Sequence, residues 1–246
     1  MGLPPKGPRS DGRHYDEMRA VSFEAPYFRP HQVLVCFGNT RVVCSASFEN
    51  RVPHWRYGSG LGWLTAEYGM LPGSTETRTA RERGVTHSGR TYEIQRLIGR
   101  ALRSVVRLGA LGQTTIYIDC DVISADGGTR TASITGGYLA MISLLKANEK
   151  RFVEWPVIEP VCAVSVGIVD GHTMLDLNYA EDSKAQVDGN AVFRPGGRIV
   201  DFGASGEESS FTKDQLSELL SFAEKGAAEI FKIQTRAAEA ILGAGV

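Results

Sequence analysis

The stretch Thr114–Gly137, TTIYIDCDVISADGGTRTASITGG, sets the frame for the whole chain. Apolar residues alternate at Ile116, Ile118, Cys120 and Val122, the period of a strand with one buried face, which leaves Asp119 and Asp121 together on the other. The run ends at Asp126-Gly-Gly-Thr-Arg130. Ala132, Ile134, Gly136, Gly137, Leu139, Met141 and Ile142 then form a small-residue, buried helix. A glycine loop therefore opens onto a helix N-terminus. The first N–H groups of a helix lack intrahelical acceptors and carry about half a positive charge, so such a junction attracts anions. Arg130 adds a full charge, and the Thr129 and Thr131 hydroxyls suit phosphate oxygens. The same pattern also arises where glycines only let a strand turn into a helix. No G-x-x-x-x-G-K-[ST] occurs, which excludes a P-loop.

With 246 residues and 42% hydrophobic content, the chain can fill the core of one large domain or of two pseudo-repeats. No apolar run approaches the ~20 residues of a membrane span, and MGLPPKGPRSDGRHYDEMR has no apolar signal core, so a cytoplasmic protein with no membrane partner is expected. Cys36, Cys44, Cys120 and Cys162 stand singly in apolar runs and read as reduced, buried small hydrophobes. The formal net charge is −1, but arginines crowd between Arg78 and Arg107 with Glu82 and Glu93 as the sole acids. Arginine suits planar, bidentate phosphate recognition, so a local anion-binding surface fits a near-neutral protein.

The first thirty residues are polar and proline-rich, with loosely ordered structure expected at their beginning. Gln32–Phe37 and 41–48 flank Gly38-Asn-Thr40 as a hairpin, and 61–68 reads as a third strand. A polar loop follows, and a helix is expected from Thr91, with Ile94, Leu97, Ile98, Ala101, Leu102, Val105 and Val106 on its apolar face. Arg96, Arg100, Arg103 and Arg107 share another face, read as solvated or subunit-contacting in preference to RNA-binding. Arg90, at the helix entrance, is a candidate second phosphate ligand. Segments 161–169 and 173–178 flank Asp170-Gly171 as a second hairpin, Tyr179–Asn190 interrupts the apolar pattern, and 191–194 with 198–202 form two more strands. A long helix opened by the capping box Thr212-Lys-Asp-Gln215 closes the chain. Strand-rich segments thus precede a helix twice, suggesting a weak internal duplication joined by the central strand and helix.

Asp176, Asp182 and Asp188 recur at six-residue spacing. Carboxylates beside a phosphate site invite Mg²⁺, although a loop or cap role for Asp182 fits the spacing as well. The five histidines show no metal-binding pairing.

Four signatures occur in order: Ala66-Glu-Tyr-Gly-Met-Leu-Pro72, Gly89-Arg-Thr-Tyr-Glu-Ile-Gln-Arg-Leu-Ile-Gly-Arg-Ala-Leu-Arg103, Asp119-Cys-Asp-Val122 with Asp126-Gly-Gly-Thr-Arg-Thr-Ala-Ser-Ile-Thr-Gly136, and Glu181-Asp-Ser-x-Ala-x-x-Asp188. Together they resemble the bacterial ribonuclease PH family. The resemblance implies an α+β ribonuclease PH fold, two similar β-rich halves (ribosomal protein S5 domain 2-like) with packed helices, forming a single domain over 10–246 after a flexible segment 1–9. It implies a phosphate-dependent 3′ to 5′ exoribonuclease and tRNA nucleotidyltransferase that trims tRNA precursors, with rRNA processing a related role. Nucleoside diphosphates are released reversibly. The enzyme would be a cytoplasmic homohexamer, a trimer of dimers. Its phosphate site falls on Arg90, Gly128, Thr129 and Arg130, and its catalytic acids and Mg²⁺ ligands on Asp182 and Asp188. A tRNA-binding loop falls on 73–83, through Arg78, Arg81 and Arg83. Two positions depart from the family pattern. Gly73 stands where the loop's first arginine is expected, and Gly189 replaces a methionine, so altered packing with the carboxylate chemistry kept is expected there. The alternative is a non-catalytic RNA-binding ring subunit of an exosome-like complex. Such subunits commonly lose the arginines or aspartates retained in this chain.

Overall fold

The computed structural model describes residues 9–81, 88–206 and 209–243. Among these, the first sheet consists of β1 (Val21–Glu24), β2 (Gln32–Phe37), β3 (Thr40–Glu49), β4 (Trp63–Met70) and β5 (Thr115–Ser124), in the order β1-β2-β3-β5-β4. All neighbours are antiparallel except β4 and β5, where Trp63 pairs with Thr115 and Met70 with Val122. A parallel pair needs a crossover, which α1 (Gly89–Arg103) supplies. The second sheet has β6 (Cys162–Val169), β7 (His172–Leu175), β8 (Val187–Arg194) and β9 (Arg198–Gly206), ordered β7-β6-β8-β9 and wholly antiparallel. A four-residue α3 (Tyr179–Asp182) lies between β7 and β8, and α4 (Lys213–Leu242) ends the described fold.

The central strand and helix form as the alternation indicates. Ile116, Ile118, Cys120 and Val122 are buried on one face of β5, with Asp119 and Asp121 on the other. α2 (Thr129–Ala147) has fourteen buried residues among its nineteen, so it is covered on every side. A helix apolar all round belongs inside a core, and α2 packs against β2, β3 and β5 on one side and β6 and α4 on the other. Its glycines allow the close approach. A Cβ on Gly136 would lie 2.7 Å from Val35 Cγ1 and 2.9 Å from Cys44 Sγ. The two halves expected from the hairpin pattern are present, with one correction. β5 lies inside the first sheet, so of the central strand and helix only α2 joins the two sheets.

Other boundaries differ for physical reasons. The third strand begins two residues late, at Trp63, because Gly62 is pressed onto Leu111, Gly112 and Thr114 and donates its N–H to Leu108 O at 2.9 Å. α1 begins earlier than expected, because the Ser88 hydroxyl caps it by accepting from Thr91 N–H at 3.2 Å. It also ends earlier, since Val105 O and Val106 leave the helix to pair with Ile158 N–H and Val157. Tyr179–Asn190 is not a continuous interruption: it contains α3 and the start of β8, so Asp188 sits on a strand. The capping box of α4 forms as expected between Thr212 and Gln215. The cysteines are free, and Cys44, Cys120 and Cys162 are buried while Cys36 is half-buried. Of the segment 1–9 expected to be flexible, only Arg9 falls among the described residues, and it is buried.

Of the arginine row, Arg96, Arg100 and Arg107 are exposed and Arg103 is half-buried. Arg100 pairs with Asp201 at 2.6 Å. Arg103 lies over the Trp63 ring and donates to Leu64 O at 2.9 Å, and Arg107 donates to Trp155 O at 2.8 Å. Arg100 and Arg103 thus also hold α1 to its own chain, while Arg107 lies beyond its end.

Candidate active site

β5 delivers its chain into the turn Asp126-Gly-Gly, where Gly127 and Gly128 both take left-handed backbone, φ 75° and 68°. Side-chain-bearing residues adopt this conformation at a cost, and the space is also closed: a Cβ on Gly127 would lie 2.4 Å from Leu177 O. The turn brings Thr129 and Arg130 to the first positions of α2. Thr40 secures it, accepting from Asp126 N–H at 2.9 Å and donating to Gly127 O at 2.6 Å.

The start of α1, with Ser88, Arg90 and Thr91, faces the same space. From the second half come Asp182, on the last residue of α3, and Asp188, on β8. α3 is held by a reciprocal cap in which Asn178 Oδ1 accepts from Glu181 N–H and Glu181 Oε2 from Asn178 N–H, both at 3.0 Å. These parts line one cavity of about 260 Å³ that contains Arg90, Gly128, Thr129, Arg130, Asp182 and Asp188. Six sequence-nominated residues, separated by up to ninety-eight positions, thus meet.

The electrostatics are divided. Burial pushes the Asp182 carboxyl above the usual carboxylate range, and the neighbouring Asp188 charge adds to the push, while Arg130, Arg90 and Arg19 pull the other way. Two repelling carboxylates beside two guanidiniums and two helix N-termini give the cavity a chemistry suited to both a cation and anions. Among the described residues no group of three or more His, Cys, Asp or Glu is placed to hold a metal. The donor set available is the Asp182–Asp188 pair, all hard oxygen, which fits a Mg²⁺ ion completed by water and substrate phosphate.

Some nominated groups lie elsewhere. Asp176 is fully buried and pairs with Arg19 Nη2 at 2.7 Å, so it belongs to no cation site. Thr131 is buried and its hydroxyl donates to Gly128 O at 2.8 Å, stabilising the loop instead of facing the cavity. Arg78 and Arg81 are exposed on a loop whose Thr75, Thr79 and Ala80 line the cavity. That loop is tied down where Ala125 N–H donates to Ser74 O at 2.7 Å, one residue before the glycine turn. Arg83 lies outside the described residues. At Gly189 a Cβ would already lie 3.3 Å from Ala204 Cβ and 3.4 Å from Val166 Cγ2, so the surrounding strands occupy the space a larger residue would need.

Sequence reasoning missed Tyr68, Ser165, Tyr179 and Asn190, all of which line the cavity. Tyr68 shares a 2.8 Å hydrogen bond with Thr129, and its burial raises the phenol above its ordinary value. Alternation along β4 and β8 assigns Tyr68 and Asn190 to a face, but nothing local shows that the face meets a glycine turn.

The chain matches two family models in order: 3′ exoribonuclease family domain 1 over residues 32–145, and domain 2 over 159–226. It is 51% identical over 234 residues to the Ribonuclease PH of Corynebacterium glutamicum, covering 93% of this chain and 96% of the other. It is 52% identical over 233 residues to that of Bacillus pumilus, covering 92% and 96%. Among solved structures it resembles an Archaeoglobus fulgidus exosome with RNA bound to the active site, with TM-score 0.75, 21% identity and 92% of each chain covered. It also resembles rice Rrp46, with TM-score 0.75, 17% identity and coverage of 94% and 100%. The structural likenesses establish the fold, and the end-to-end sequence identity establishes more: the chain belongs to the 3′ exoribonuclease family, in its ribonuclease PH group.

Proposed function

We propose that the cavity catalyses phosphorolysis at an RNA 3′ end. The observation that carries this reading is the meeting of Arg90, Arg130 and two helix N-termini with the Asp182–Asp188 pair in one cavity. Inorganic phosphate is held by the two arginines, the Thr129 hydroxyl and the loop N–H groups. One of its oxygens attacks the terminal phosphorus, the bond from that phosphorus to the preceding nucleotide's 3′ oxygen breaks, and a nucleoside 5′-diphosphate leaves. The freed 3′ oxygen takes a proton, for which Asp182 is the placed donor, burial raising its carboxyl above the ordinary value. When bound, Mg²⁺ on Asp182 and Asp188 supplies positive charge toward the phosphate oxygens. The arginines orient phosphate and neutralise developing negative charge. A phosphoanhydride replaces a phosphodiester, so nucleoside diphosphates extend RNA in reverse.

The preferred substrate in this reading is a tRNA precursor, gripped by Arg78 and Arg81 at the rim and by Arg83. The enzyme works in the cytoplasm as a homohexamer, a trimer of dimers. Among the described residues no helix is long and apolar enough to cross a membrane. The test is a time course on tRNA with extra 3′ nucleotides in Mg²⁺ buffer, with and without phosphate. Shortening with diphosphate release only when phosphate is present is expected. Monophosphate release without phosphate would indicate a hydrolase, and RNA binding without shortening would indicate a non-catalytic subunit.

A further inference from the structure

The segment 9–19 lies outside the cavity, yet its arginines converge on two acids of the second half. Arg9 forms a bidentate pair with Glu181, the residue before Asp182, and donates to Leu175 O at 2.6 Å. Arg13 donates to Asp176 O at 2.9 Å. Arg19 reaches further. Its backbone N–H and Nε donate to Asp176 Oδ2 at 2.8 and 2.9 Å, and Nη2 donates to Oδ1 at 2.7 Å. The rest of its guanidinium turns toward the glycine loop, donating to Asp126 O and, at 3.4 Å, to Gly127 O. It packs under the next residue so closely that a Cβ on Gly128 would lie 3.2 Å from Nη2. One planar group therefore touches both the phosphate loop and the segment that leads into α3.

Stability alone is a weak reason for this arrangement. Buried ion pairs lose hydration, and apolar replacements of similar volume are often as stable. Asp176 is held at φ 52°, a left-handed conformation that persists in a non-glycine residue where its surroundings fix it. A fork of five donors in one plane supplies geometry. We propose that Arg19 is a positioning residue: bridging Asp176 to the carbonyls of Asp126 and Gly127, it sets the distance between the phosphate loop and the helix bearing Asp182. This rests on the phosphorolytic reading of the cavity, because in-line attack needs the phosphate and the acid pair in register. Misplacement on the order of 1 Å can cost about 100-fold in rate.

Arg19→Lys keeps a charge for Asp176 but cannot span both sides. Phosphate saturation and turnover are measured beside RNA binding and thermal unfolding, with wild type in parallel. The expected result is a folded protein with RNA affinity near wild type, a phosphate KM raised about tenfold and kcat lowered about tenfold or more. The double variant Arg19→Met/Asp176→Asn removes both charges, while Asn tolerates φ 52° and keeps an acceptor for the residue 19 backbone N–H. It is expected to recover thermal stability without recovering rate. Wild-type phosphate saturation and kcat in Arg19→Lys would overturn the proposal. So would recovery of rate together with stability in the double variant, or failure of both variants to fold, which would make the bridge a folding element. Wild type that does not depend on phosphate would instead overturn the reading of the cavity.

Discussion

In the proposed reaction Asp182 has the central part, and burial and the Asp188 charge raise its carboxyl above the ordinary value while Arg130 and Arg90 oppose them. Asp182→Asn removes both the proton donor and half of the cation's carboxylate pair. Turnover is expected to fall by about 100-fold or more with RNA still bound, checked by single-turnover cleavage beside a binding titration. Arg130→Ala and Arg90→Ala should raise the phosphate KM, by about tenfold or more, with tRNA affinity at low salt largely kept. Phosphate titrations of the two variants check this. A third prediction concerns stability. Burial, with help from Asp121 and Glu67, raises Asp119 above its ordinary 3.8. A carboxyl raised on folding binds its proton more tightly when folded, so stability falls as pH climbs from the unfolded toward the folded pKa and stays lower above it. Asp119→Asn removes that loss. Its Tm should exceed wild type near neutral pH by a few degrees at most, solvent screening being substantial, and should match wild type below the ordinary carboxylate range. Melting curves across pH decide it.

At the level of elements, a side chain's neighbours along the chain explain some placements and not others. Thr129 and Arg130 were readable because a glycine turn before a helix places the next two residues at its N-terminus whatever surrounds it. Tyr179–Asn190 reads as an interruption because acids break its apolar pattern, yet β6 and β9 on either side impose a strand on Asp188. The arginines of segment 9–19 were not nominated at all. Their acid partners in the second half, Asp176 and Glu181, lie more than 150 residues away, so nothing local marks them. The rim loop yields its own prediction. Arg78→Ala and Arg81→Ala should weaken tRNA binding and flatten its dependence on salt, each lost duplex phosphate contact reducing the slope of log K against log salt by ~0.9. Binding isotherms at several salt concentrations measure that slope, and an unchanged value would make both residues solvated loop positions.

Over the whole molecule, two sheets share one helix, and the cavity lies where parts of both halves meet at its N-terminus. Because α2 is covered by both halves, neither sheet retains its core alone. Replacing Ile134, fully buried in α2, by Ala should destabilise the protein by about 2–5 kcal/mol in a single cooperative transition, measured by denaturant unfolding. Separate transitions for the halves would contradict a shared core. By itself the sequence determined the strand–glycine–helix unit, both hairpins and the capped last helix, because these depend on periodicity and turn chemistry, and it nominated Arg90, Thr129 and Arg130 as candidate phosphate ligands. The tertiary structure alone fixed β5 inside the first sheet, Asp188 on a strand, Asp176 as the partner of Arg19 and Tyr68 beside Thr129. Those depend on which surfaces α2 draws together, and burial acts between residues far apart in the chain.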